Sequence, residues 1–393
     1  MASIYNILVN LGNALFALCQ YLYKTISNTL FKKSPRTIDM AQQFEKQASP
    51  QSTEATLYQP SVEDVLQVKQ SLFKELHLPI ELVEVVIDVA EYWPHTTSVT
   101  TNDADHPISV RSGANFENQF LLRTFPLGYV PNGDNPTTLI GIGTHSDDHI
   151  TLDKAVKSSD APKPWPPSLD VQDDDTKELL ERWTAVSMSR GTPCRKIVFT
   201  LKSHDQGWGG STADKGTYRG SYSWFDVGLE RISASRAELM KIEAPERTEE
   251  SVPLPEFLPL TDTKSQEKTI QATNPVICSL RTILPRTFPK HPSSEDYQFE
   301  HALLPQQNCL QKNLTAQGEA HDHVVTWSCD DNILPESVDG TELEKQGRGR
   351  ETATGQFVKD MKVGDVVTVW AKARFPGWVN VVEQVKVEVY WAV

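Results

Sequence analysis

Two short strings concentrate side chains that could hold a metal ion. GTHSDDHI places His145, Asp147, Asp148 and His149 within five positions, and AHDHVV adds His321, Asp322 and His323. Imidazole and carboxylate together suit zinc or a harder cation. On a strand, His321 and His323 share one face and could act as a pair. Solvated histidines account for both strings as simply. His145, Asp147, His149, His321 and His323 are therefore weak metal candidates, and no cofactor is expected. The five cysteines (Cys19, Cys194, Cys278, Cys309 and Cys329) are odd in number and form no CxxC, so neither a zinc ribbon nor a dithiol site is indicated. A reducing compartment follows as the simpler expectation. The single glycosylation triplet, Asn313-Leu314-Thr315, argues the other way but arises readily by chance.

The loop SHDQGWGG has stronger claims to ligand chemistry. His204, Asp205 and Gln206 supply polar contacts beside Trp208, whose ring can cap a core or serve as a platform for a sugar or peptide. The segment containing it recurs. KIVFTLKSHDQGW (196–208) aligns with VVTVWAKARFPGW (366–378) at an offset of 170, matching Lys202 with Lys372, Gly207 with Gly377 and Trp208 with Trp378. Each copy is followed by a strand bearing aromatics, YRGSYSWFDVGL with Trp224 in one case and VKVEVYWAV in the other. The pattern predicts two related β-hairpins contributing to the two sheets of a sandwich. His204, Asp205, Gln206, Trp208, Trp224 and Trp378 form the expected ligand-binding set.

Positioning these loops requires a rigid body, and residues 96–393 have the strand periodicity to build one. Val385, Val387, Val389, Trp391 and Val393 alternate strictly with Lys386, Glu388, Tyr390 and Ala392, giving one apolar face. Trimming this last strand should harm folding. The predicted fold is mainly β, a jelly-roll-like sandwich with long loop insertions. Polar or proline-rich insertions, expected to be disordered, fall near 153–176, 243–275 and 330–353. Before the body, residues 61–95 predict a small helical unit. Ser61 to Asp64 offers a helix start, and Leu82, Val85, Val86 and Val89 share a face of the helix after Pro79. Residues 34–60 read as a flexible linker.

The beginning of the chain seeks different surroundings from the rest. Residues 4–23 carry no charge, and Asn6, Asn10, Asn13, Gln20 and Lys24 gather into one stripe of an otherwise apolar helix. Residues 1–33 therefore predict an amphipathic helix that seeks a membrane surface. The first 38 residues contain four cations and no acid, whereas the whole chain has formal net charge −14. An acidic body is repelled by phosphate backbones, so no nucleic-acid partner is expected. The Gly347-Arg348-Gly349-Arg350 run is too short for a nucleic-acid arm and reads as a mobile basic turn. The expected location is the cytoplasm, with membrane association through the first helix.

The chain contains no GxSxG elbow, P-loop or GxGxxG set between strand and helix. LPIELVEVVIDVAEYWP (78–94) resembles the first part of an F-box. That resemblance implies docking onto a ubiquitin-ligase adaptor through Leu78, Pro79, Leu82 and Ile87, with Glu81 also matching the motif. GTHSDDHI resembles the THxHxDH signature of metallo-β-lactamase-like hydrolases, but is one residue shorter and lacks the second histidine. SHDQGWGG, SYSWFDVGLERI, LQKNLTAQGEAHDHVVTW and RFPGWVNVVEQVKVEVYWAV are similar to a broad group of fungal proteins of unassigned activity. This last resemblance implies a shared β-rich body and a fungal origin, and carries no catalytic residue with it. The favoured function is non-enzymatic: recognition of a protein or polar ligand by aromatic-bearing loops near a membrane. An F-box-like substrate receptor, a metal-dependent hydrolase and a membrane-active effector are the alternatives.

Overall fold

The computed structural model describes residues 59–101, 107–113, 116–129, 161–167, 174–186, 191–236, 276–294 and 296–393. The predicted amphipathic helix at 1–33, nearly all of the linker, the insertion at 243–275 and the His145, Asp147 and His149 string lie outside the described residues. The chain divides into two compact units, one spanning residues 1–95 together with 390–393 and the other spanning 96–389.

The first unit is a helix pair, α1 (Val62–Lys74) and α2 (Ile80–Val89). Ser61 starts α1 because its hydroxyl accepts from Asp64 N at 3.1 Å while the Asp64 carboxylate accepts from Ser61 N at 2.9 Å. This reciprocal cap satisfies two backbone donors that the helix itself leaves open. Val65 and Leu72 of α1 pack with Val83, Val86 and Ile87 of α2 and with Trp93, and the last residues of the chain complete that core through Tyr390 and Val393. Lys69 is held by Glu84 at 2.7 Å and donates to the backbone oxygen of Val393, while Tyr390 stacks on His95 at 4.6 Å. The apolar face expected on α2 is divided. Val86 turns inward with Val83 and Ile87, whereas Leu82, Val85 and Val89 stay exposed, because α1 covers only part of the helix circumference.

The second unit is an antiparallel β-sandwich. One sheet runs β1 (His95–Thr101), β12 (Val379–Trp391), β4 (Cys194–His204), β10 (His321–Ser328), with β2 (Ile108–Arg111) also on β12. The other runs β3 (Asn118–Arg123), β11 (Asp365–Ala373), β5 (Ser223–Arg236), β6 (Val276–Leu284), with β9 (Gln311–Lys312) on β5. A separate ribbon pairs β7 (Thr287–Pro289) with β8 (Tyr297–Phe299). Ile197, Phe199 and Leu201 alternate inward along β4, opposite Trp327, Val325 and His323 of β10 in register. Every residue of β11 is buried, so this strand packs on both faces.

The repeated segments do not form hairpins. After β4 the chain crosses to the other sheet as β5, and after β11 it crosses back as β12. Each copy is thus an arch, and the partners are exchanged: β12 pairs with β4, and β11 pairs with β5 with Val369 opposite Val227. A hairpin would put both strands of a copy in one sheet. Crossing instead lets each copy line both sheets, and the inner side chains of all four strands meet in one interior. The matched lysines keep this exchange symmetric. Lys202 of β4 pairs with Glu383 of β12 at 2.8 Å, and Lys372 of β11 pairs with Asp226 of β5 at 2.6 Å.

A buried polar node joins the sheets. Asn313 Nδ2 donates to Asn380 Oδ1 (2.9 Å), Ser223 Oγ (3.2 Å) and His204 O (3.3 Å), and Asn313 Oδ1 accepts from Ser203 Oγ at 2.7 Å. Asn380 in turn donates to Trp224 O at 2.9 Å. Asn313 and Thr315 are both fully buried, so the folded chain presents no glycan acceptor at that triplet.

Expected insertions prove structured where they are described: all of 330–353, and residues 161–167 and 174–176 of the 153–176 stretch. Residues 330–353 contain α4 (Val338–Lys345), capped by the Ser337 hydroxyl at 3.1 Å from Gly340 N, and a 3-10 turn at Arg350–Ala353. The Gly-Arg-Gly-Arg run is fixed rather than mobile: Lys312 N donates to Gly347 O, Gly349 N to Cys309 O and Glu351 N to Gln307 O. A Cβ on Gly349 would lie 2.1 Å from Gln307 O, which is why only glycine fits there. Within 153–176, Lys163 O and Trp165 O accept from Thr282 and Thr287, and Arg281 lies over the Trp165 ring at 5.7 Å. Helix α3 (Asp174–Trp183) begins at the end of that stretch. Local polarity concealed these segments because their order comes from backbone bonds to distant parts of the chain.

Candidate functional site

The two arch loops meet at one end of the sandwich. Gln206 joins them, donating from Nε2 to Trp208 O at 2.6 Å and accepting from Val379 N at 3.1 Å. Gly207 and Gly377 occupy matching left-handed conformations, φ +81° and +94°. The Trp208 ring lies over Gly377, where a Cβ would come within 3.1 Å of Cη2. Trp208 is nonetheless 63% exposed. Its neighbour in the repeat, Trp378, meets Tyr222 edge-on at 5.2 Å, and Tyr222 meets Phe375 at 4.7 Å.

Arg374 ties further loops to this end. Its guanidinium donates to Glu117 O (2.8 Å), Asn118 Oδ1 (2.6 Å), Ala302 O (2.8 Å) and Ala373 O (3.1 Å), and stands over the Trp224 ring at 5.2 Å. Burial lowers its pKa, with Glu117 and Asp226 acting in the opposite direction. Four bonds to a planar five-donor group hold the loops beginning at 112, 302 and 374 in fixed relation. Beside those anchors Phe116 is 72% exposed, Leu303 is 65% exposed and Phe375 is 41% exposed. Ser112 N donates to Trp378 O at 3.4 Å, bringing the loop of Phe116 to the same strand end as the indole.

The expected ligand set divides by burial. His204, Gln206, Trp208 and Trp378 gather at this end with solvent-accessible surface. Asp205 comes with them but is fully buried, its carboxylate accepting from Gly207 N (2.7 Å), Ala316 N (2.5 Å) and Gln317 N (2.9 Å). Burial raises its pKa and the three amide bonds oppose that rise. Asp205 is therefore a staple between two loops. Trp224 is likewise sealed, lying beneath Arg374 with its Nε1 donating to Asp226, and cannot touch a ligand. Both leave the ligand-binding set because the inward phase of β5 and the turn after β4 consume them. Phe116, Tyr222, Leu303 and Phe375 were missed. The Arg-Phe-Pro-Gly string carried a signal for Phe375, whereas nothing local marked Phe116 or Leu303.

The remaining candidates are less well placed. Among the described residues no group of three His, Cys, Asp or Glu side chains could hold a metal. His321 and His323 do share a side of β10, and the Tyr218 hydroxyl lies 3.4 Å from His323 Nδ1. Burial, with His321 next in effect, pushes the His323 pKa down to about 4, so it is neutral at pH 7. Cys194, Cys309 and Cys329 are buried, and burial raises the pKa of Cys194 and Cys309, which suits inert core residues. Of the F-box-like positions, Ile87 is buried and Leu78 packs against the unit's own core, while Leu82 is exposed and Pro79 precedes α2. No described helix is long and apolar enough to cross a membrane.

Fold and site together define a β-sandwich with an aromatic, loop-built end and a separate helical unit. No protein-family model, curated protein or solved structure matches the chain.

Proposed function

We propose that this chain is a non-enzymatic interaction protein that recognises an apolar segment of a protein partner at the loop-built end of its sandwich. The observation that carries this is the exposure of Trp208 on a preorganised support, with Phe116, Leu303 and Phe375 exposed on loops anchored to the same end. Rigidly held aromatic rings offer large contact area with little ordering cost, the property that concentrates binding energy in Trp and Tyr anchors. A polar ligand such as a glycan remains the alternative occupant, since an indole face suits both. Residues 1–33 serve in this proposal to hold the protein at a membrane surface.

Panning a random peptide library on the full-length protein, alongside a glycan array, tests the recognition. Enriched apolar peptides that lose binding at least about tenfold in Trp208→Ser and Phe375→Ser, with unchanged circular dichroism, support it. Glycan binding with no peptide binding, or peptide binding indifferent to both variants, overturns it. Flotation with anionic vesicles, with and without residues 1–36, tests the membrane role, which fails if both forms stay in the aqueous fraction.

A second function is favoured by one feature, the exposed stripe Leu82, Val85 and Val89 on α2. Such a stripe fits the groove of a helix-binding adaptor, as the F-box resemblance implies. Co-purification with a ligase adaptor that disappears in Leu82→Asp would support it, and its persistence in that variant would exclude this helix as the contact.

A further inference from the structure

Wherever the sandwich buries a basic side chain, it generally supplies a carboxylate. Arg123 pairs with Glu230 at 2.5 Å, Arg231 with Asp365 at 2.7 Å and Lys372 with Asp226 at 2.6 Å. Arg348 departs from this pattern. Its Nε is buried without a hydrogen-bond partner among the described residues, its Nη2 reaches Thr326 O only at 3.5 Å, and no described carboxylate lies within ion-pair distance of it. Burial accordingly lowers its pKa, and the charge of Asp331 acts in the opposite direction. A half-buried guanidinium left this way carries a desolvation cost that a bound anion would offset.

Arg348 lines a cavity of about 430 Å³ formed where the 305–308 segment and β9 meet the turn at 348–351. Lys312 and Arg350 add positive charge to its wall, and Gln306, Gln307 and Asn308 add amide groups. Glu344 and Glu351 are the acids, and Glu344 is already engaged by Arg350 at 2.5 and 2.8 Å. The cavity therefore has a surplus of one positive charge in a chain of net charge −14, with Arg348 and Lys312 in no described ion pair. Its backbone is held by three hydrogen bonds between the facing segments and by the close fit at Gly349, so the shape exists before a ligand arrives.

From this geometry we infer that the Arg348–Lys312 cavity binds a small hydrophilic organic phosphate. The class follows from the lining. A guanidinium presents parallel donors that match two phosphate oxygens, and a nearby ammonium adds a point charge to the third. Amide side chains suit hydroxyl groups on the rest of the molecule, while the scarcity of apolar wall disfavours a fatty or aromatic acid. The volume lies within the range of small-molecule sites and exceeds what an inorganic ion alone would fill. This inference is independent of the aromatic end and stands whether or not that end binds a partner.

Calorimetric titration of the full-length chain with O-phosphoserine, glucose 6-phosphate, inorganic phosphate and sulfate tests it. The expected result is saturable binding of at least one phosphomonoester, at least about tenfold tighter than sulfate. Arg348→Gln should weaken it about tenfold or more, with Arg348→Lys failing to restore it, because the paired donors are lost. Lys312→Gln should weaken it several-fold and provides a second test should the Arg348 variants misfold. Equal affinity for sulfate and phosphomonoesters, meaning an adventitious ion only, would overturn the inference. So would no binding at 10 mM ligand, or binding unchanged in a folded Arg348→Gln or Lys312→Gln protein.

Discussion

Asn313→Leu tests the junction of the two sheets most directly. Leucine keeps the branched heavy-atom outline of asparagine with bulkier methyl ends, so the substitution removes hydrogen bonds without opening a cavity. Ser203 loses its acceptor, and Asn380 Oδ1 loses the donor 2.9 Å away; Ser223 Oγ and His204 O each lose a weaker donor. A buried polar group deprived of its partner costs about 1–3 kcal/mol, so the two short bonds alone imply a loss of roughly 2–6 kcal/mol. Against a domain stability of about 5–15 kcal/mol this is a large fraction. Urea unfolding should show a midpoint lowered by about 0.7–2 M at unchanged slope, taking a slope of about 3 kcal/mol/M because the slope rises with the surface a large body exposes. Asn380→Leu should have a comparable effect, and the double variant should lose less than the sum, because both remove the same bond. A midpoint within about 0.3 M of the parent protein, or strict additivity, would show that the node does not hold the sheets together.

Three further outcomes are expected. Deleting Tyr390–Val393 removes the stack on His95, the Val393 oxygen bonded by Lys69 and the buried Trp391. A loss of about 3 kcal/mol or more should follow, with faster proteolysis within residues 59–95, and an unchanged melting temperature would refute the role given to the chain end. Gly377→Ala places a Cβ against Trp208 at a φ of +94°, costing about 1–2 kcal/mol and altering indole fluorescence; an unchanged spectrum would show that the ring is not supported there. His323 has its folded pKa lowered to about 4 from 6.5, so the unfolded chain takes up the proton first. Its contribution is complete above about pH 6.5 and is lost as pH falls toward 4, on the order of 3 kcal/mol. His323→Phe should flatten that part of a pH–stability curve measured by urea unfolding, and an equally steep curve would exclude His323 as its source.

Legibility followed the range of the forces involved. The helix start at Ser61, the alternation of Val385 to Trp391 and the matched glycines at 207 and 377 were readable because capping, pleat and backbone handedness act within a few residues. Exposure of Trp208 could be posed as a question, but the alternatives of core cap and platform could not be separated without knowing what lay beneath the ring. Trp224 shows the converse: it shares the composition of a ligand platform, yet Arg374, 150 positions away, closes it off.

The amino-acid sequence by itself determined a mainly β body with a helical preface, a pair of related strand-loop segments, and an acidic chain with a basic, apolar beginning. Only the tertiary structure decided that each repeated segment crosses between sheets, that the basic Gly-Arg-Gly-Arg turn is fixed against residues 307–312, and that Asp205 and Trp224 serve the interior. Pattern along a strand records which faces seek burial, whereas the choice of partner strand, and the closing of one side chain over another, depends on contacts hundreds of residues apart that no local period encodes.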